Sequence, residues 1–475
     1  MSSTISYKRF IQDILGYSVS NIIVAIVGIV VVPILTNIFS VEQYGFISLF
    51  SSAGLFFSEI ASLGLTSAYI RYYNELDDDT EKMLRVRCIV IPLGIILLIS
   101  SIIIFTKTNY VGVLLLGDNN KLVIIFMLLF AYSQYIRIFI NIYYRMRMDI
   151  TKYTIFQIVY VIFAKCSVIF AVFFVVNNIT IAICSTVFSL LLSGFLVIHR
   201  LVECKGAKLV NEKKHVFVEM YKYALMSWPS TIIPYANIYI TQAVISASLG
   251  KYVLGIYSSL SLFSVILTTF RSGFTSYWSS FFYKYYKTEK SKIQNVHDVI
   301  MFCSVMFMAM LVIFKDILYL FIGKDFYEGK KIFALVVVNS LLLFDAETTA
   351  YGYNIAKKPY IHAIISTVTL LINIVGVYMC GKYDGLFGIG LATAFSGIVY
   401  FVLSTYFGQK YYKTVKSYTR TIIACSFICL IALSNYYINN FFTLTMIVGI
   451  LITFTVIVYR RIIIKILNIC FKCKK

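Results

Sequence analysis

The sequence predicts an all-α polytopic membrane protein of about 14 transmembrane helices, arranged as two parallel six-helix lobes followed by a C-terminal helix pair. Three observations carry that expectation. Of 475 residues, 60% are hydrophobic and 13% charged, a balance too apolar for a soluble domain. Uncharged apolar runs recur, each about 20 residues long, the length a helix needs to cross a hydrocarbon core of roughly 30 Å. The basic residues gather in alternate breaks between those runs. A transmembrane barrel is excluded, because stretches such as Ile95 to Phe105 and Ile422 to Leu433 do not alternate apolar and polar positions.

In chain order the runs occupy residues 14–37, 45–70, 87–106, 122–144, 154–176, 181–199, 224–247, 253–278, 299–321, 332–355, 361–380, 388–408, 420–438 and 442–460. Their even number puts both termini on one side. That side then holds 31 Lys and Arg, among them Lys8, Arg71, Arg85, Arg145, Arg200, Lys284, Lys413 and Arg460. The other side holds 7, namely Lys107, Lys121, Lys251, Lys324, Lys330, Lys331 and Lys382. Short loops rich in Lys and Arg stay in the cytoplasm, so both termini are expected there. The net charge of +21 is then explained by loops facing anionic headgroups, with no nucleic-acid partner.

An internal repeat sets the expected domains. Ile38 to Ser48 and Ala247 to Ser258 each place a short polar turn before a glycine, Gly45 or Gly255, that opens the next span. The offset of 210 residues covers six spans, which implies parallel repeats about an axis along the membrane normal. The expected divisions are an N-terminal lobe 1–200, a cytoplasmic linker 201–222, a C-terminal lobe 223–408, an additional helix pair 409–460 and a basic cytoplasmic tail 461–475.

Ionisable residues inside spans are costly in lipid and mark function by default. In the eighth span Ser261, Ser264, Thr268, Arg271, Thr275 and Trp278 share one helix face. The fourth span repeats the pattern with Gln134, Arg137, Asn141 and Tyr144, and the second with Ser51, Ser58, Glu59, Ser62, Thr66 and Tyr69, leading to Arg71. Arg271 lies about 10 Å and Arg137 about 12 Å from the cytoplasmic ends of their spans; Lys165 sits nearer the midplane of the fifth. Arg71, Arg137, Lys165 and Arg271 thus read as a cationic cavity for an anionic headgroup, which a guanidinium grips bidentately. The alternative is that these cations snorkel and set topology. Glu59, Asp345 and Glu347 either couple transport to H⁺ or Na⁺ or pair with Arg137 or Arg271. Asp345 and Glu347 differ by about 200° around a helix, so they face different ways. Lys315 and Asp316 read as an interfacial pair.

Most of the ten Cys read as small buried apolar residues; Cys470 and Cys473 in the tail offer a palmitoylation or metal site. His215 and His297 fall in expected cytoplasmic loops, His199 at a helix end and His362 at the start of the eleventh span. No catalytic or metal constellation and no phosphate-cradling glycine loop appears, so neither an enzyme nor ATP-driven transport by this chain is expected. Pro33, Pro229 and Pro234 interrupt the first and seventh spans, as suits helices that bend during alternating access.

The lead-in Tyr7 to Leu15, Val32-Pro33-Ile34-Leu35-Thr36, Glu42-Gln43-Tyr44-Gly45 and Leu63-Gly64-Leu65-Thr66-Ser67-Ala68-Tyr69-Ile70-Arg71-Tyr72-Tyr73 resemble the bacterial polysaccharide-transporter family, the Wzx-type oligosaccharide flippases. The resemblance implies a multidrug/oligosaccharidyl-lipid/polysaccharide exporter-like fold without a cofactor. It also implies transport of undecaprenyl-pyrophosphate-linked sugar units across the bacterial cytoplasmic membrane for O-antigen, capsule or a similar polymer, beside a polysaccharide polymerase and chain-length regulator. Of the candidate cations only Arg71 falls within a matching segment. The rival readings are a multidrug exporter of the related extrusion family, a lipid II or teichoic-acid precursor transporter, and a membrane glycosyltransferase, which the short outer loops disfavour.

Overall fold

The computed structural model describes residues 23, 26–28, 30–105, 112, 115–174, 176–204, 214–356, 358 and 360–472. The lead-in from Tyr7, residues 205–213 of the linker 201–222 and Cys473 lie outside the described residues, as do the side chains of Lys165, Ser261 and Cys470. Among the described residues every regular element is helical, and eleven helices are long and apolar enough to cross a membrane. Two of the eleven run through two expected spans each: Lys214–Tyr285 is broken at Gly250 (φ 89°) and Tyr360–Tyr411 at Gly385 (φ 57°), where a residue with Cβ is strained. With the shorter apolar helix Ile26–Ile38, this accounts for about 14 crossings. The protein is an all-helical multi-pass membrane protein.

The chain divides into two compact units, 1–255 and 256–475. The first contains α1 (Val41–Ser62), α2 (Leu65–Tyr72), α3 (Asp78–Phe105), α4 (Lys121–Met146), α5 (Ile150–Phe170), α6 (Asn178–Glu203) and the arm of α7 (Lys214–Tyr285) that precedes Gly250. Helix α1 starts at a capping box in which the Ser40 hydroxyl accepts from Gln43 N and Gln43 Oε1 accepts from Ser40 N. It stops where Leu63 (φ 46°) and Gly64 (φ 73°) turn left-handed, so the second expected span is two helices. Helix α4 packs against α1, α3, α5 and α6. Its Met127, Leu128, Ala131 and Ile136 are fully buried, which makes it the centre of this unit.

The two glycines of the sequence repeat meet within this unit. A Cβ on Gly45 would lie 2.4 Å from the Lys251 carbonyl oxygen and 2.9 Å from Gly255 N; one on Gly255 would lie 1.9 Å from the Val41 carbonyl oxygen. Val41 and Lys251 carry the same 210-residue offset as the glycines, so the contact is reciprocal. Backbones this close leave no room for a methyl group. Gly255→Ala is therefore expected to lower the thermal midpoint of the purified protein, at a cost of about 1–3 kcal/mol by overpacking; Gly28→Ala, which has open space around it, should leave the midpoint unmoved.

The second unit continues α7 and adds α8 (Lys290–Ile313), α9 (Lys315–Tyr319), α10 (Phe333–Ala346), α11 (Tyr351–Ile355), α12 (Tyr360–Tyr411), α13 (Tyr418–Tyr437) and α14 (Phe441–Lys472). Helix α10 is enclosed by α8, α12 and α13, with Phe333, Ala334, Val337 and Val338 fully buried. Helix α14 turns Leu444, Val448, Thr455 and Tyr459 inward and leaves Ile450, Phe454 and Ile457 exposed, as lipid contact requires.

Two expectations are corrected here. Helix α8 begins at Lys290, so His297 and Asp298 are buried in a helix and not in a loop. Lys315 and Asp316 do not pair: Lys315 donates to Asn435 at 2.9 Å, and Asp316 pairs with Lys330.

Candidate functional site

In the first unit Glu59 and Arg137 reach the same neighbourhood from α1 and α4. Glu59 is 5% exposed, and its Oε1 accepts from Ser62 at 3.2 Å. Arg137 donates from Nε to Gln134 Oε1 at 3.0 Å, and its guanidinium lies 5.4 Å from the Tyr160 ring centroid. Gln134 Nε2 in turn donates to the Tyr160 hydroxyl at 3.0 Å. Tyr235, on α7, is within electrostatic reach of both Glu59 and Arg137. Among the described residues no carboxylate sits within ion-pair distance of Arg137, so both Nη groups keep their donors for an anion.

The remaining first-unit candidates differ. Arg71 is half exposed at the end of α2, pairs with Glu75 and lies over Tyr72. The structure does not bring it to Arg137. Lys165 is on α5, but its side chain lies outside the described residues.

In the second unit Arg271 and Glu347 form an ion pair, with Arg271 Nε and Nη2 at 2.8 and 2.7 Å from Glu347 Oε1. The pair is partly open, at 29% and 17% exposure. Tyr353, Tyr400 and His362 lie within its electrostatic reach. Asp345 points away from this pair, toward Ser304 of α8, as the angle between positions 345 and 347 demands.

Sequence reasoning missed what holds the two glutamates. The chain has two Trp, and each donates its indole N–H to a site glutamate's backbone carbonyl: Trp228 to Glu59 O at 2.9 Å, Trp278 to Glu347 O at 3.1 Å. Both glutamates stand where a helix breaks, after Ser62 and after Ala346. A break frees carbonyls that must find donors in an apolar medium, and the indole supplies one. The polar stripe containing Trp278 was the only signal available.

A second cluster was also missed. Arg85 is 1% exposed and binds Glu81 and, at 3.2 Å, Glu203. Glu203 binds Arg200 at 2.7 Å, Arg200 donates to the Tyr143 and Tyr144 hydroxyls, and Tyr69 donates to Glu81. Arg85 and Arg200, expected as loop charges, instead tie α2, α3, α4 and α6 together. Among the described residues no group of three or more His, Cys, Asp or Glu gathers as a metal site.

Helices broken around intramembrane Arg and Glu characterise the fold, and comparison with solved structures finds the same fold in membrane transporters. The chain is similar to a structure described as lipid II flippase MurJ in an inward closed conformation, with a TM-score of 0.62, 18% identity, and 95% of this chain and 100% of that chain covered. It is also similar to an inward-facing multidrug resistance MATE family transporter of the MOP superfamily (TM-score 0.58, 11% identity, 81% and 97% covered). A third similar structure is that of the MATE multidrug transporter DinF-BH (TM-score 0.55, 14% identity, 84% and 93% covered). No curated protein matches. Residues 10–276 match the family described as polysaccharide biosynthesis protein, and the chain belongs to that family.

Proposed function

We propose that the protein is a flippase. It moves undecaprenyl-pyrophosphate-linked oligosaccharide repeat units from the cytoplasmic to the outer leaflet of the bacterial cytoplasmic membrane by alternating access, with both termini in the cytoplasm. Its lobes are residues 1–200 and 223–408, and the units it delivers feed O-antigen, capsule or a similar polymer through a polymerase and a chain-length regulator. Membership of a polysaccharide biosynthesis family supports the sugar, and likeness to a lipid II flippase supports a lipid-linked substrate. The observation that carries the reading is Arg137: an intramembrane guanidinium with no carboxylate partner among the described residues, held by Gln134 and Tyr160, is set to receive a pyrophosphate. Arg271 serves the substrate only by exchanging Glu347 for it, and no enzymatic step is involved.

The test is flipping of a fluorescent undecaprenyl-pyrophosphate oligosaccharide in proteoliposomes. Arg137→Ala is expected to slow flipping at least tenfold, the effect of losing about 1.4 kcal/mol or more of charge-assisted hydrogen bonding, while exposed Lys382→Ala flips as the native chain does. Equal rates in the native and Arg137→Ala proteins would remove Arg137 from the site. Export of a cationic drug, with no flipping of any lipid-linked sugar, would replace this function with the multidrug reading.

A further inference from the structure

Deep in the second unit one carboxyl leaves half of its bonding capacity unused. Asp345, near the end of α10, is fully buried. Its Oδ1 lies 2.6 Å from the Ser304 hydroxyl, and its Oδ2 has no partner. Two arginines of this unit, Arg271 and Arg420, are committed elsewhere, to Glu347 on another face and to Asp298 at 3.3 Å.

The titratable groups that face Asp345 from the packed helices are Cys303 of α8, Cys425 of α13 and Tyr459 of α14. His297, further along α8, has its ring nitrogens engaged by hydroxyls, Thr348 at 2.6 Å and Thr421 at 3.0 Å, and not by the Asp345 carboxyl.

An ionised carboxylate enclosed in this way costs several kcal/mol or more, since one hydroxyl donor replaces all of its water. A neutral carboxylic acid carries no such cost, and its O–H gives the Asp345–Ser304 pair a second hydrogen to share. A bound Na⁺ would need several converging oxygens; among the described residues the oxygen hydrogen-bonded to the carboxyl is that of Ser304, and the Asp345 carbonyl already accepts from Thr348.

We propose that Asp345 holds a proton in the conformation seen here and releases it when α10 separates from α8 and α13, coupling transport to a proton gradient. On release the O–H bond breaks with its electron pair left on the carboxylate, and the proton passes to water on the side then open; loading reverses these events. The coupling rests on the flippase reading, whereas the protonated carboxyl does not.

The experiment has two arms on the full chain in lipid. Infrared spectra of the native protein at neutral pH are expected to show the carbonyl stretch of a protonated acid that disappears in Asp345→Asn and shifts in Ser304→Ala. A native protein without that band, or a band unchanged in Asp345→Asn, would overturn the proton site. Flipping in proteoliposomes with a pH gradient is expected to be faster than without one in the native chain and equal in Asp345→Asn. Native flipping that responds to a Na⁺ gradient and ignores pH would overturn the coupling. Absence of native flipping with the infrared band intact would sink the flippase reading and leave the proton site standing.

Discussion

Arg85→Ala is expected to cost about 3–5 kcal/mol of stability, enough to leave little folded protein after extraction into detergent. Arg85 has 1% exposure and binds two carboxylates, Glu81 and Glu203. Removing the guanidinium leaves Glu81, itself 7% exposed, with the Tyr69 hydroxyl and no cation. Uncompensated buried charge is the costly outcome, more than the lost attraction. Thermal unfolding in nanodiscs checks this, with exposed Lys152→Ala as the reference. Arg85→Ala combined with Glu81→Ala should regain part of the loss, because no buried carboxylate is stranded. A drop no larger than that of Lys152→Ala would show that the cluster is solvated and weak.

The second large effect belongs to Arg271. Arg271→Ala strands Glu347 in the membrane interior, and Glu347→Ala strands Arg271. Each should destabilise by less than the ~3–5 kcal/mol of a fully buried pair, because both groups are partly open. The double variant should recover part of that loss, with a coupling of about 0.5–3 kcal/mol. Flipping separates two roles for the same residue. If Arg271 acts only as a lock on Glu347, the double variant recovers flipping together with stability. If it also grips the substrate's phosphates, stability returns and flipping stays low.

The spans were legible because lipid imposes one rule along the whole chain, about 20 apolar residues per crossing. That rule divided the helices through Gly250 and Gly385 correctly. The opposed directions of Asp345 and Glu347 were legible too, since helix geometry alone separates them. Partners were not. Arg271 and Glu347 are 76 residues apart, and Arg85 and Glu203 are 118 apart, so no local pattern joins them. Arg85 and Arg200 were read as loop charges because helices α3 and α6 continue past the apolar window into polar sequence. His297 was misplaced for the same reason at the start of α8. The tryptophan donors were invisible because the need for them arises only where a helix breaks.

The meeting of Gly45 and Gly255 has the form of a symmetric contact. Two identical chains related by a two-fold axis make reciprocal contacts, in which a residue on one touches its partner position on the other and the reverse. Val41 against Gly255 and Lys251 against Gly45 have that form, with the 210-residue offset in place of a second chain. The nearest atom met on each side is a backbone carbonyl oxygen, so it is the path of the main chain that sets one turn against the other. A shift of either turn is then felt by both at once, as across the axis of a symmetric pair.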